Sequence, residues 1–348
     1  MLFNIIGLNS ADNLYTNIAP IVQHIREIFS LCGYDSILSH NMIEDNAINI
    51  FLEHFPDNKL LNGVIEYKKN KGGLFGIFAT ELMLEGTMPW SLNGCSPESV
   101  DANGPRIAQR MSGFHDFLPV ADFVWTFLER TAETYASQVP IIEHFSLAYA
   151  KSAPNEAPLK LLAPKDIDVL FCGAMTPYRR RILKTFEDRG IAVVACGSGT
   201  ALGRLPAPIY ESYLDRAKIG LSVTFGGPPT GLPEDEAIGL TDKNTDLRFA
   251  SCSRIPEMLL RDVCILSEEI PLDNPYADFM VQTPGGSMAD MCASLLENDL
   301  WQHIGAANSA AWRRDMNALV MNKPVIDRTI EKLKMAQARS QTMLDRTA

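Results

Sequence analysis

The chain has 348 residues, 46% hydrophobic and 21% charged, an ordinary balance for a globular protein with room for two domains and a substantial core. Its net charge of −11 leaves no basic surplus to neutralise phosphates, which argues against a nucleic-acid binder but not against a pocket for one small anion. No apolar run reaches the roughly 18 residues that would mark a bilayer span, so no transmembrane segment is expected, while a peripheral membrane contact stays open.

The first ten residues lack a basic stretch and a small-residue cleavage site, so they read as a strand (2–8) and not a secretory signal. Ile18, Ile21, Val22, Ile25, Ile28 and Phe29 recur at helical spacing, and Gly33 closes that helix. Apolar runs at 35–38, 47–55, 74–80, 123–128 and 140–147 read as strands. Helices are expected at 58–69, 104–112 and 129–137, and a long loop at 82–103. Residues 151–164 are polar and Pro-rich and read as a linker.

The pattern then restarts. Strands are expected at 168–174, 191–196, 219–225, 263–266 and 279–282. Helices are expected at 178–189, 207–218, 245–252, 287–297, 301–314 and 325–344, with a loop at 226–242. Strands alternating with helices predict an α/β protein of two Rossmann-like domains, with parallel sheets facing across a cleft. Their boundaries are 1–150 and 165–322, followed by a C-terminal helix, 323–348, that returns toward the first domain.

Seven cysteines (Cys32, Cys95, Cys172, Cys196, Cys252, Cys264 and Cys292) occur without any C-x-x-C pair. That spacing offers no zinc or redox motif and points to a reducing compartment, hence a cytoplasmic location. Cys172, Cys196, Cys264 and Cys292 stand in apolar runs or on helical faces and read as small hydrophobes.

Ligands of open α/β sheets bind beyond the carboxyl ends of the strands, so the segments after each strand hold the candidates. Ser253 is a good N-cap, and Arg254 and Glu257 follow at i,i+3 spacing. A helix start with an arginine can hold phosphate, and the carboxylate can accept bonds from the two hydroxyls of a ribose. The same spacing also serves ordinary surface ion pairs. Gly173, Thr224 and Gly226 permit or line a close ligand approach, and Ser267 and Glu268 end a strand where they can reach sugar hydroxyls. Of Arg179, Arg180 and Arg181 at least one can reach an anion, and Arg180 is the expected donor contact. Gly197, Gly199 and Gly203 miss the dinucleotide fingerprint, because the third glycine comes one place late. In the first half, Asp12, His54 and Glu81 follow strands and are candidates for the general base that takes a proton from an attacking hydroxyl. No Asp-x-Asp triplet stands at a strand end, so no metal is expected.

The second half resembles the C-terminal domain of GT-B-fold glycosyltransferases, in particular the bacterial spore-maturation-type group. The resemblance covers about residues 165–320 and rests on the Asp168–Gly173 strand, the Tyr178–Leu183 helix, the Ile191–Gly197 strand, the Tyr213–Ser222 segment and Ser253–Glu257 leading into Val263–Glu268. It departs at Leu260-Arg261-Asp262, where that family has small residues. The resemblance implies a nucleotide-sugar site on the second domain, with Arg254 at phosphate or sugar and Glu257 at the ribose. It implies an acceptor site on the first domain for a glycan, protein or small molecule. The expected activity is metal-independent sugar transfer with no cofactor beyond the nucleotide-sugar donor. An NDP-sugar epimerase on the same fold and a non-catalytic nucleotide- or sugar-binding protein are the alternatives.

Overall fold

The computed structural model describes residues 1–7, 14–52, 58–80, 112–150, 164–224, 254–270 and 274–347. The expected linker up to residue 163, the loops at 82–103 and 226–242, the helix at 245–252 and all of the helix at 104–112 except Ser112 lie outside them. The chain forms two compact units, and the second comprises the described residues from 164 to 315.

The first unit is built on six strands: β1 (Leu2–Gly7), β2 (Asp35–His40), β3 (Ala47–Leu52), β4 (Leu74–Ala79), β5 (Phe123–Thr126) and β6 (Ile142–His144). They form one sheet in the order β2-β1-β3-β4-β5-β6, and every pairing is parallel. Helices α1 (Leu14–Leu31), α2 (Asn58–Lys71) and α3 (Glu129–Tyr135) make connections between strands. β1, β3 and β4 are almost wholly buried, as their unbroken apolar runs require when both faces are covered. The strand read from sequence at 140–147 is longer than its ladder, which covers Ile142–His144, and the expected strand at 47–55 lies within the described residues only up to Leu52.

The second unit repeats the scheme with β7 (Ile167–Cys172), α4 (Pro177–Asp188), β8 (Val193–Cys196), α5 (Ala207–Arg216), β9 (Ala217–Ser222), α6 (Arg254–Leu259), β10 (Cys264–Glu268), β11 (Val281–Thr283), α7 (Met288–Glu297) and α8 (Leu300–Asp315). The sheet order is β11-β10-β9-β7-β8, again all parallel. The strand read at 279–282 is split, with a 3-10 turn over Ala277–Phe279 and β11 starting two residues later. The chain leaves β7 toward β8 on one side and returns to β9 on the other. The strand order therefore reverses at β7, which makes its carboxyl end the topological switch point of this sheet.

Beyond α8 the chain rejoins the first unit through α9 (Ala318–Met321) and α10 (Lys323–Thr347). Three attachments fix α10. The Asn322 side-chain amide donates to the Ser146 carbonyl at 2.8 Å. Arg328 and Lys332 each meet Glu143 at 2.9 Å. The Trp125 indole N–H, in the middle of the first core, donates to Thr329 Oγ1 at 3.0 Å. Trp125 packs with its ring centroid 4.7 to 5.9 Å from those of Phe3, Phe29, Phe78, Phe123 and Phe145. Thr329→Val leaves that buried N–H unpaired, and the expected loss is about 1–3 kcal/mol of stability, read from the urea midpoint of Trp fluorescence. A midpoint equal to wild type would show that the indole finds another acceptor.

Candidate functional site

The site is assembled where β7, β8, β9 and β10 end. β7 stops at Cys172, and Gly173 continues the ladder by donating its N–H to the Cys196 carbonyl at 2.9 Å. Here the two chain segments nearly touch. A Cβ on Gly197 would stand 2.1 Å from the Gly173 carbonyl oxygen, and φ at Gly197 is +127°, a region that side chains disfavour. A Cβ on Gly173 would stand 2.6 Å from the Arg254 Nη1 and 3.2 Å from the Arg179 Nη1. Two guanidinium groups thus converge over a glycine at the switch point.

Arg179 reaches this place because Thr176 caps α4, its Oγ1 accepting the Arg179 N–H at 3.2 Å, with Pro177 in the first turn. Its guanidinium donates to the carbonyls of Ala174 (2.8 Å), Val223 (2.7 and 3.1 Å) and Thr224 (3.2 Å), and lies over the Phe171 ring. It ties the end of β7 to the end of β9. Burial, reinforced by the like charge of Arg254, pushes its pKa down to about 9, which leaves it charged at neutral pH. Among the described residues Arg254 forms no hydrogen bond or ion pair, though its charge acts on Glu257.

Glu257 follows Arg254 by one helical turn and is half-buried. Desolvation pushes its carboxyl up to about 7, against the pull of Tyr210, Arg261 and Arg254. The Tyr210 hydroxyl on α5 is buried beside it. Arg261 holds the far end of α6 by donating to the Glu257 carbonyl (3.2 Å) and to Asp215 (3.0 Å). Asp262 then turns the chain into β10 with a left-handed φ of 52°. The departure at 260–262 from small residues is therefore a closing device for α6.

Glu268, at the end of β10, is 3% exposed. Its carboxylate accepts the Thr224 N–H at 2.6 Å, the Thr224 hydroxyl at 2.7 Å and the Tyr178 hydroxyl. One buried carboxylate so joins β10, the segment after β9 and α4.

No protein-family model matches the chain, and no curated protein sequence matches it. Solved structures do match. The DNA-modifying enzyme beta-glucosyltransferase superposes with a TM-score of 0.52 at 13% identity, covering 94% of this chain and 100% of its own. HepE of Anabaena, solved in complex with UDP-glucose, gives 0.51 at 9% identity over 95% of this chain and 100% of its own. T4 phage BGT in complex with UDP and Mn2+ gives 0.50 at 13% identity over 98% and 99%. The chain has the GT-B fold.

On this GT-B framework the residues expected from sequence separate into four groups. Gly173, Arg254 and Glu257 stand together at the carboxyl ends of the second sheet. Thr224 and Glu268 stand there too, but their bonds run within the protein, and Ser267 is fully buried with its hydroxyl on the Ser222 carbonyl at 3.3 Å. Ser267 and Glu268, expected donor contacts, stand at this edge with polar atoms bonded within the protein. Arg180, the expected donor contact, is exposed on α4, while its neighbour Arg179 is turned inward at the Thr176 cap. Gly226, Asp12, His54 and Glu81 lie outside the described residues. The helix carrying Arg254 has only six residues, so its aligned dipole is small and the guanidinium supplies the positive charge. Among the described residues no helix is long and apolar enough to cross a membrane, and no group of three His, Cys, Asp or Glu is placed to hold a metal.

Proposed function

We propose that this GT-B protein transfers a sugar from a nucleoside-diphosphate sugar to an acceptor hydroxyl without a metal ion. The observation that supports the reading is the Arg254–Glu257 pair, one helical turn apart at the switch point of the second sheet, with a guanidinium that has no hydrogen-bond partner among the described residues and a half-buried carboxyl. Arg254 binds the diphosphate, with Arg179 placing a second positive charge behind it, and Glu257 binds the ribose hydroxyls. These fixed charges stabilise the departing diphosphate, the part a divalent cation plays elsewhere. UDP is the nucleotide to test first, since HepE and T4 phage BGT are described with UDP-glucose or UDP.

The acceptor belongs to the first unit. Its general base is one of Asp12, His54 and Glu81, which follow β1, β3 and β4 in the chain. The strand order of that sheet also reverses, at β1, so the ends of β1 and β3 are where an acceptor belongs. A net charge of −11 speaks against DNA as that acceptor and for a glycan, a protein or a small molecule. A bacterial, cytoplasmic enzyme related to the spore-maturation-type group fits this reading.

The test is titration of UDP into the protein with EDTA present, across pH 6 to 8. An ionised carboxylate accepts ribose hydroxyls more strongly than a carboxylic acid. With a Glu257 pKa of about 7, binding tightens as pH rises through neutrality, by up to about tenfold. Glu257→Gln flattens the profile. A UDP affinity that needs Mn2+ removes the metal-independent part of the reading, and absence of binding by UDP, GDP and ADP removes all of it.

A further inference from the structure

Cys172 closes β7 and Cys196 closes β8, and the two residues are register partners in adjacent parallel strands. Their sulfurs stand 3.2 Å apart. Neighbouring strands lie about 4.8 Å apart, inside the Cα separation of roughly 4.4–6.8 Å that a disulfide spans. The pair differs from the other described cysteines of this unit. Cys264 and Cys292 belong to the apolar cluster beneath the sheet, and burial pushes both thiols up to about 12. Cys172 and Cys196 are outside that cluster, each 4% exposed, at strand ends beside Arg254.

We propose that Cys172 and Cys196 form a redox-active thiol pair that a hydroperoxide oxidises to an intramolecular disulfide and a small thiol reduces again. The first proton leaves Cys196, because the S–H of Cys172 bonds to the resulting thiolate and Arg254 faces it; the same sharing holds the Cys172 thiol up. The Cys196 thiolate attacks the terminal peroxide oxygen. The O–O bond breaks, a sulfenic acid forms, and the alkoxide takes a proton from water to leave as alcohol. Cys172 sulfur then attacks the sulfenic sulfur. The S–O bond breaks, and hydroxide leaves as water with the Cys172 proton. Two thiols lose two electrons and two protons, and the hydroperoxide becomes one alcohol and one water. A reversible disulfide of this kind is the form that thiols take in a reducing compartment when they sense oxidants.

The full-length protein, reduced and freed of reductant, is treated with hydrogen peroxide and mapped by peptide mass under non-reducing conditions. The expected result is a single linked peptide pair containing Cys172 and Cys196, with a loss of two free thiols that dithiothreitol restores. Cys172→Ser leaves Cys196 to run on to sulfinic acid, and Cys196→Ser leaves Cys172 unoxidised at the same dose. No linked pair in the wild type, or bridges spread evenly over other cysteines, overturns the proposal. One consequence rests on the donor-site reading above: saturating UDP, seated on Arg254, slows oxidation at least about fivefold by covering the strand ends. If the disulfide forms at a rate that UDP leaves unchanged, the thiol pair stands and the donor-site assignment falls.

Discussion

Arg254→Ala weakens UDP binding by about 10- to 100-fold and leaves the fold intact. A hydrogen bond from a charged group is worth about 1.5–3 kcal/mol, and a guanidinium facing a diphosphate makes at least one. The loss is confined to ligands with a second phosphate or a charged sugar linkage, so wild-type discrimination between UDP and uridine collapses in the variant. Arg254→Lys retains the charge without the planar fork and falls between the two. Stability is expected to change little, because removing Arg254 relieves its repulsion with the buried Arg179 and gives up its attraction to Glu257. A thermal melt near the wild-type midpoint, with calorimetric affinity reduced, is the joint signature. Unchanged affinity, or affinity lost together with the melt, counts against Arg254 as a ligand contact.

Glu268→Ala destabilises the second unit by about 3–5 kcal/mol. Deleting one partner from a buried charged network costs far more than the network contributes as a whole, because the remaining groups stay desolvated and unpaired. Here the orphans are the Tyr178 hydroxyl, the Thr224 N–H and the Thr224 hydroxyl, with Arg179 close by. Glu268→Gln preserves the shape but turns one oxygen into a donor facing other donors, and loses roughly half as much. Two units need not unfold together, so hydrogen exchange of β9 and β10 is the appropriate readout, with β1 and β3 as the internal reference. Equal protection of both sheets in the variant would show that Glu268 acts on the ligand and not on the scaffold. UDP affinity should fall only as far as the unfolded fraction grows.

Much of the scaffold is legible in the sequence. Runs such as residues 2–8 and 74–80 are apolar throughout, which suits only strands covered on both faces, and the structure pairs them in parallel sheets. Thr176-Pro177 marked the start of α4, because an N-cap side chain and a proline each act within one turn. Arg254 and Glu257 could be put on one face from spacing alone, since i,i+3 neighbours meet on any helix. The triplet at 179–181 shows where this stops. Three identical side chains carry no local signal of which one turns inward, and the choice of Arg179 depends on carbonyls 44 and 45 residues away.

Two more features were beyond sequence for the same reason. Glu268 reads as a ligand contact, and only the structure joins its carboxylate to Thr224 and Tyr178, 44 and 90 residues distant. Cys172 and Cys196 show no motif, being 24 residues apart, and become a pair only because β8 lies beside β7 with those two residues in register. The sequence by itself determined the alternation of strand and helix, the two-sheet class and the face shared by Arg254 and Glu257, all of which follow from side-chain periodicity within a few residues. Only the tertiary structure decided the strand order, the inward arginine and the thiol pair. Those depend on which distant backbone and side-chain atoms are brought within about 3 Å, and hydrogen bonds lose their strength beyond that distance whatever the chain spacing.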